Sequence, residues 1–221
     1  DWSWSRGLGD VYKRQEYSNL VDVKKHEMFP TVIHSFSLDI DDYDMKNMTT
    51  YIRNSQTKVD LYQTEDDLHI TSFFRPFSNK ILEVNEKILD ELGYEYEGLS
   101  ITSMWGNIMR AGATHPPHTH SNNFLSGVVY LDAGNKTAPI QFFDPRPQSS
   151  VMVPRRKTNT IYNSSMIQFE AETYKGFVFP SWLMHWVKTN EEERMSVSWN
   201  IQVNGHYGEP KTLQNAYIKE K

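Results

Sequence analysis

Residues 194–201 read RMSVSWNI, an alternation of polar and apolar side chains that is typical of a β-strand. The polar face carries Arg194, Ser196, Ser198 and Asn200, and the apolar face carries Met195, Val197, Trp199 and Ile201. In a sandwich, the polar face would meet solvent. In a barrel packed against helices, the apolar face would meet the helices and the polar face would line the interior. This strand alone is compatible with both arrangements.

Upstream of this strand the hydrophobic pattern has the same period of two, beginning after Gly93. The predicted strands are Leu99–Met109, Phe124–Leu131, Ile140–Phe143, Met166–Ala171, Gly176–Phe179, Met184–Lys188 and Arg194–Val203. Turn-forming segments rich in Asp, Asn, Gly and Pro separate several of them. Many short strands joined by turns predict a mainly β fold, either a sandwich or a barrel.

The residues before Gly93 predict helices that support the strands. Acidic residues precede a helix predicted over Met45–Arg53, and Ser78 is placed to cap a second helix over Asn79–Leu92. The second helix repeats apolar side chains at helical spacing and ends at Gly93. We expect these helices to pack on the outside of the β structure.

The domain organisation expected from these patterns is a single domain over residues 16–221. It comprises helical support in 16–97, a β core in 98–204 and a tail in 205–221. Residues 1–15 lack the periodicity of the rest, and their SRGLGDVYKRQ segment matches the translation of a sequencing-library adapter. We therefore expect residues 1–15 to be a non-native leader; a natural leader is the alternative.

The composition excludes several classes of protein. The chain has 221 residues, with 23 basic and 28 acidic side chains and a net charge of −5, which argues against non-specific binding to nucleic acid. It has no cysteine, which excludes a disulfide scaffold, thiolate-bound metals and a cysteine nucleophile. No apolar run approaches the roughly 20 residues that span a bilayer, so no membrane partner is expected.

The eight histidines are the unusual chemical feature of the chain, and three of them form a candidate metal site. His118 and His120 are two positions apart, so on an extended chain both project from the same face and can share one ion. His185, on a distant predicted strand, can supply a third ligand from inside a barrel. The alternative is a pair of surface histidines together with a core histidine between Trp182 and Trp186.

Arg194 and Ser196 form a candidate anion site on the strand that follows His185. A fixed guanidinium with a neighbouring hydroxyl is the donor set that a buried carboxylate ligand needs. The alternative is an arginine at the start of a strand that pairs with the acidic run at 191–193. The combination of two spaced histidines, a distant histidine and this donor pair is more specific than any one of them.

The stretch from Trp105 to Asn200 resembles the iron(II)/2-oxoglutarate-dependent oxygenases, near the prolyl-4-hydroxylase-like enzymes. The matching segments are WGN at 105–107, HTH at 118–120, SGVVYLDAG at 126–134, FFDPRP at 142–147, FPSWLMHWV at 179–187 and ERMSVSWN at 193–200. The resemblance implies a double-stranded β-helix, which is a jelly-roll, cupin-like barrel. It also implies a cytoplasmic oxidoreductase, a dioxygenase acting as a hydroxylase, that uses Fe(II), 2-oxoglutarate as co-substrate and dioxygen.

The resemblance also implies a role for individual residues. His118, His120 and His185 would bind iron; Arg194, Ser196, Asn107, Tyr130 and Asn200 would contact 2-oxoglutarate. The family usually has a carboxylate where this chain has His120. His120 is therefore either a third neutral ligand or a non-ligand, with Asp144 as a fallback carboxylate.

Two other functions fit the same histidines. A three-histidine zinc site with an open water position would give a hydrolase or hydratase. A jelly-roll sugar-binding module would use its aromatic side chains, and its histidines would be structural. For the oxygenase, we expect a small molecule or a protein side chain as substrate, with specificity in residues 51–77 and 148–165. The sequence indicates no oligomeric state.

Overall fold

The computed structural model describes residues 23–55 and 62–219. The chain divides into two compact units, Asp1–Thr31 and Val32–Lys221, and the helices and strands given below lie in the second. The expected non-native leader, residues 1–15, lies outside the described residues. The division into a single domain with a leader stays a prediction.

The second unit is mainly β in the described part of the chain. Its strands are β1 (His34–Ser37), β2 (Gly98–Met109), β3 (His115–His118), β4 (Leu125–Asp132), β5 (Ile140–Phe143), β6 (Met166–Phe169), β7 (Lys175–Pro180), β8 (His185–Val187), β9 (Arg194–Tyr207) and β10 (Ala216–Ile218). Its α-helices are α1 (Asp42–Asn54) and α2 (Arg75–Leu92), and short 3₁₀ turns lie at Leu68–Ile70, Ser72–Phe74 and Pro147–Ser150. This content confirms the predicted class of fold.

The strands form two antiparallel sheets, and both sheets contribute side chains to the interior. The major sheet has the order β1-β7-β4-β9-β10, and β2 also pairs with β9 along most of its length. The minor sheet has the order β3-β8-β5-β6. Apolar side chains of both sheets, among them Tyr130 and Phe179 from the major sheet and Phe142 from the minor sheet, pack together. The two sheets therefore face each other.

The alternation along β9 places its two faces as a barrel requires. Met195, Val197, Trp199 and Ile201 are buried in the larger core, together with apolar side chains of α1 and α2. The ring of Phe77 on α2 meets Trp199 edge to face, with the ring centroids 6.3 Å apart. The helices therefore cover the outer face of the major sheet, and the polar face of β9 is free to line the interior.

Helix α2 begins four residues earlier than the sequence predicted, and Ser78 does not cap it. The helix follows the 3₁₀ turn Ser72–Phe74, and the residue before its first turn, Phe74, makes no side-chain capping bond. Ser78 is instead buried inside the helix, next to Phe77. Burial of Phe77 against the sheet extends the helix beyond the capping signal. The predicted end is confirmed: Gly93 has φ +75°, the left-handed conformation that closes a helix.

Three strand features differ from the prediction. His115–His118 forms a short strand despite its two prolines, because it lies at the edge of the minor sheet, where two ladder donors can be missing. Strand β9 continues to Tyr207, four residues beyond the predicted end. Strand β10, in the expected tail, pairs with the end of β9.

Candidate active site

A cavity between the two sheets collects most of the residues that the sequence singled out. Seven of the eight predicted site residues line it: His118, His120, His185, Arg194, Ser196, Asn107 and Tyr130. His115, Thr114 and Ser198 also line it. Major-sheet strands contribute the anion-site candidates, whereas His118 lies at the end of β3, His120 in the segment that follows it and His185 at the start of β8.

His118, His120 and His185 form the histidine cluster. His118, the last residue of β3, lies opposite His185, the first residue of β8, in the strand register. The backbone N–H of His120 donates to Ser181 O at 2.9 Å, which fixes the residues after β3 against the turn between β7 and β8. One ligand nitrogen from each of the three rings lies within 4.8 Å of the others. This arrangement can hold a metal ion.

Backbone carbonyls orient two of the three rings. The Nδ1 atoms of His118 and His185 lie 2.9 Å from Pro116 O and Leu183 O, respectively. Because a carbonyl oxygen only accepts, each Nδ1 must carry the proton, which leaves Nε2 with a free lone pair. This is the tautomer that a metal ligand needs.

Burial keeps the histidine rings neutral. Desolvation, with a smaller contribution from the neighbouring histidines, lowers the pKa of His120 to about 4 and that of His185 to about 3. Burial also lowers the pKa of His118. At neutral pH the three rings are therefore uncharged without help from a metal ion.

Aromatic side chains surround the cluster. The ring of Trp105 stacks on His120 with centroids 5.9 Å apart, and Phe179 packs edge to face on His185. Trp182, by contrast, is 58% exposed, and the indole Nε1 of Trp186 donates to Met166 Sδ. Of the three tryptophans near the site, Trp105 is the one that lines the cavity.

Arg194 is a buried cation with unused donors. Its side chain is only 6% exposed, and its Nη1 donates to Ala138 O at 2.6 Å. Its Nε has no hydrogen-bond partner among the described residues, and the nearby Tyr130 Oη has none either. The guanidinium lies 5.2 Å from the centre of the Tyr130 ring. Glu193, a proposed partner for Arg194, pairs with Arg53 instead.

Asn190 holds the backbone N–H of Ala138, the residue whose carbonyl accepts from Arg194, and no pattern in the sequence predicts this role. Its side chain is 1% exposed; Oδ1 accepts from Ala138 N at 2.8 Å, and Nδ2 donates to Met109 O and to Glu192 O. Asn190 lies in a predicted turn, where asparagine is expected for local reasons. Its long-range contacts appear only in the folded chain.

Asn107 and Ser198 link the cavity wall to the segment after α1. Asn107 Nδ2 donates to Ser198 Oγ at 3.2 Å, and Asn107 Oδ1 accepts from Gln63 Nε2 at 2.7 Å. Part of the predicted specificity segment 51–77 therefore reaches the cavity wall through Gln63. Residues 56–61 of that segment lie outside the described residues.

Asn200 does not line the cavity, unlike the other residues expected to contact 2-oxoglutarate. Its Oδ1 accepts from Ser126 Oγ at 2.7 Å, and its Nδ2 donates to Ser103 Oγ at 2.9 Å. Ser126 Oγ also bonds Ser181 Oγ at 2.7 Å, and Ser181 O accepts from His120 N. The Asn200 amide is therefore hydrogen-bonded to neighbouring strands, and through Ser126 and Ser181 it supports the backbone at His120.

Asp144, the fallback carboxylate, binds Arg146 in place of a metal. Its two oxygens accept from Arg146 Nε and Nη2 at 3.0 and 2.9 Å. These bonds lower the pKa of Asp144 to about 2. Asp144 does not line the cavity that holds the histidine cluster.

A family comparison agrees with this site. Residues 103–200, which contain the histidine cluster and Arg194, match the family model described as "Putative 2OG-Fe(II) oxygenase". No curated protein sequence matches the chain. The matched stretch covers 98 of the 221 residues and is similar to the 2OG-Fe(II) oxygenases, the family that the sequence resembles.

Solved structures share the fold at low sequence identity. A prolyl-4-hydroxylase from Pseudomonas putida is 12% identical with a TM-score of 0.55, over 78% of this chain and 88% of that one. The non-heme alpha ketoglutarate dependent epimerase SnoN from nogalamycin biosynthesis is 11% identical with a TM-score of 0.59, over 86% and 91%. A viral collagen prolyl hydroxylase from Paramecium Bursaria Chlorella virus-1 is 9% identical with a TM-score of 0.52, over 76% and 94%. These similarities confirm the jelly-roll fold.

The side chains present fit the cofactors of that family. Three neutral imidazoles within reach of one ion are a suitable donor set for Fe(II). Arg194 Nε and Tyr130 Oη have no hydrogen-bond partner among the described residues, and both residues line the cavity, so a bound carboxylate would have two donors to accept from. In the described residues, no helix is both long and apolar enough to cross a membrane.

Proposed function

We propose that this protein is an Fe(II)/2-oxoglutarate-dependent dioxygenase that hydroxylates its substrate. The observation that carries the proposal is the juxtaposition, in one cavity, of the histidine cluster and the buried Arg194. A zinc hydrolase or hydratase would use the histidines but would leave the buried guanidinium without a role. A sugar-binding module would use neither.

We propose that His118, His120 and His185 hold the iron through Nε2. In His118 and His185, Nδ1 is occupied by a backbone carbonyl, so Nε2 is the free atom. In His120, Nε2 is the atom that lies 3.3 Å from His185 Nε2. Because all three ligands are neutral, the ion would keep its full positive charge, and the anionic co-substrate would supply the balancing charge.

Arg194 binds the distal carboxylate of 2-oxoglutarate in this proposal, with Ser196 and Tyr130 as further donors. The burial of Arg194 excludes competing water from its guanidinium, which strengthens its attraction for an anion. Asn190 accepts from the backbone N–H of Ala138, and the carbonyl of the same residue accepts from the guanidinium. Asn107, on the cavity wall, stays a candidate for a polar contact to the co-substrate.

Bound Fe(II), 2-oxoglutarate and dioxygen supply the oxidising chemistry, with succinate and carbon dioxide as co-products. The chain's own side chains bind the co-substrate in one orientation and keep water from the ion. Trp105 and Phe179 provide the apolar wall beside His120 and His185. Two structural relatives are prolyl hydroxylases and one is an epimerase, so the oxidised substrate is not set by the fold. A small molecule or a protein side chain fits the proposal.

We propose a cytoplasmic location, since Fe(II) is kept reduced there and the chain carries no cysteine that would need oxidation. Because dioxygen oxidises Fe(II) readily, the test of function must begin without oxygen.

The test is to load the metal-free protein with Fe(II) under anaerobic conditions and titrate it with 2-oxoglutarate. We expect a weak visible charge-transfer band, followed by succinate after oxygen is admitted. Zn(II)-loaded protein is the matched control, because it can occupy the same histidines without redox chemistry. Absence of both the band and succinate, together with stoichiometric zinc in the purified protein, would contradict the oxygenase proposal.

A further inference from the structure

The loop between β5 and β6, residues 144–165, is a cationic segment of an acidic protein. From residue 145 to residue 169 the chain has four basic side chains and no acidic one, whereas its overall net charge is −5. Arg146 is neutralised by Asp144. Arg155, Arg156 and Lys157 take part in no ion pair within the described residues. Three adjacent positive charges are therefore left for a ligand.

These three cations line a solvent-open cavity of about 360 Å³, and all of its lining residues belong to the loop. That volume is suitable for a small molecule. Ser149, Ser150 and Asn163 add hydroxyl and amide groups to its lining, and Met152 and Tyr162 add apolar surface. The lining therefore suits a ligand that combines a multiply charged anionic group with a less polar body.

Internal hydrogen bonds give the loop a defined shape. At its base, Asp144 N donates to Ser165 O at 2.9 Å. Within it, Asn163 Nδ2 donates to Thr158 O at 3.0 Å, and Asn163 Oδ1 accepts from Thr160 N at 2.8 Å. The residues that follow the three cations are thus tied back on themselves, which lowers the entropy cost of ordering the loop around a ligand.

The loop leaves the minor sheet at the end where the histidine cluster lies. Strand β3 ends at His118, β8 begins at His185, and His118 and His185 are opposite in register. Strand β5 pairs with β8 on the edge away from β3, and there Phe142 lies opposite His185. Phe142 is one residue before the end of β5. The loop thus begins two residues beyond the level of the proposed iron ligands. The base of the loop therefore lies close to the histidine cluster.

We propose that the basic loop binds a phosphate group of the substrate, so that the enzyme acts on a small phosphorylated molecule. The identification of this phosphorylated molecule as the substrate rests on the proposed function, whereas the anion site itself does not. Two arginines and a lysine match a phosphate better than a carboxylate. Each guanidinium can donate two hydrogen bonds to phosphate oxygens, and three positive charges are better balanced by a phosphate, which carries more than one negative charge, than by a carboxylate, which carries one. A nucleic acid would need a basic face much wider than one loop on an acidic protein.

Binding of inorganic pyrophosphate to metal-free protein tests the site without requiring activity. Isothermal titration at constant ionic strength should show saturable binding to the wild type. The Arg155→Ala/Arg156→Ala/Lys157→Ala variant should bind at least tenfold more weakly. The control variant Lys46→Ala/Lys136→Ala/Lys188→Ala removes the same charge at exposed positions outside the loop and should bind as the wild type does. Equal affinity in the wild type and the loop variant would overturn the proposal.

Two further titrations separate this inference from the proposed function. With metal present, the loop variant should bind 2-oxoglutarate as tightly as the wild type, because Arg194 is intact; a matching loss would overturn the assignment of the loop to the substrate. If wild-type protein fails to bind 2-oxoglutarate in the presence of metal but still binds pyrophosphate through the loop, the proposed function fails while the anion site stands. Tighter loop-dependent binding of a 20-base-pair DNA duplex than of pyrophosphate would overturn the choice of a small phosphorylated ligand.

Discussion

Arg194 combines deep burial with two kinds of contact: one hydrogen bond to Ala138 O and a ring face of Tyr130. Its unused donors predict the result of removing it. Arg194→Ala should weaken 2-oxoglutarate binding about 10- to 150-fold, since hydrogen bonds to a charged partner contribute about 1.5–3 kcal/mol. Metal affinity should stay unchanged. Anaerobic titrations of the variant measure both, and the exposed Arg110→Ala is the control. Equal 2-oxoglutarate affinity in Arg194→Ala would refute the assigned role.

His120 decides whether the metal site has three imidazole ligands or two. If it is a ligand, His120→Ala should weaken binding of Fe(II), or of Ni(II) as an air-stable substitute, by at least about 100-fold, since even removal of residues that support ligands costs 10- to 100-fold. His206→Ala, at an exposed position on β9, is the control. Metal affinity unchanged in His120→Ala would leave His118 and His185 as the only protein ligands of the three.

At the scale of elements, the contact between β4 and β9 depends on one glycine. Gly127 lies opposite Trp199, and a Cβ at position 127 would lie 2.2 Å from the Trp199 ring. Gly127→Ala should therefore lower the free energy of unfolding by about 1–3 kcal/mol, as overpacking does. In β2, Gly98→Ala is the control, because a Cβ there would meet no atom within 4 Å. Urea unfolding compares the two variants, and an equal loss in both would contradict this explanation.

The elements and the site differ in how far the sequence could predict them. The period of two along β9 depends only on local order, so the cavity-facing set Arg194, Ser196 and Ser198 was predictable. The start of α2 was not, because burial of Phe77 against another element decides it. The roles of Asn190 and Asn200 were hidden for the same reason: their partners lie on strands distant in sequence. The identities of the metal and of the co-substrate were predicted from the resemblance to a family, because the spacing of the histidines alone was also compatible with a zinc site.

For the whole molecule, buried neutral histidines predict acid sensitivity of the metal-free protein. Burial lowers the pKa of His115 and His120 to about 4 and that of His185 to about 3, whereas an unfolded chain keeps the ordinary value near 6.5. Above pH 6.5 neither state binds these protons. Between pH 6.5 and 4 the unfolded state binds more of them, so the free energy of unfolding falls as the pH falls, by up to about 1.4 kcal/mol per unit for each histidine.

The measurement is the urea midpoint of metal-free protein at pH 7, 6 and 5, a range in which most carboxylates stay ionised. We expect the midpoint to fall across this range. Protein saturated with Ni(II) is the control, because an occupied Nε2 cannot take a proton, so its midpoint should fall less. A constant midpoint for the metal-free protein would contradict the burial of neutral rings.

The register of β3 against β8 has a consequence for how the protein matures. His120 and His185 are 65 positions apart in the chain, and they meet only after the minor sheet has closed. In a newly made, unfolded chain, His118 and His120 are close in sequence, but nothing holds His185 beside them. The complete site therefore binds its ion only after the chain has folded, and this binding stabilises the native state by mass action. Scarcity of iron in a cell would accordingly lower the abundance of this protein as well as its turnover.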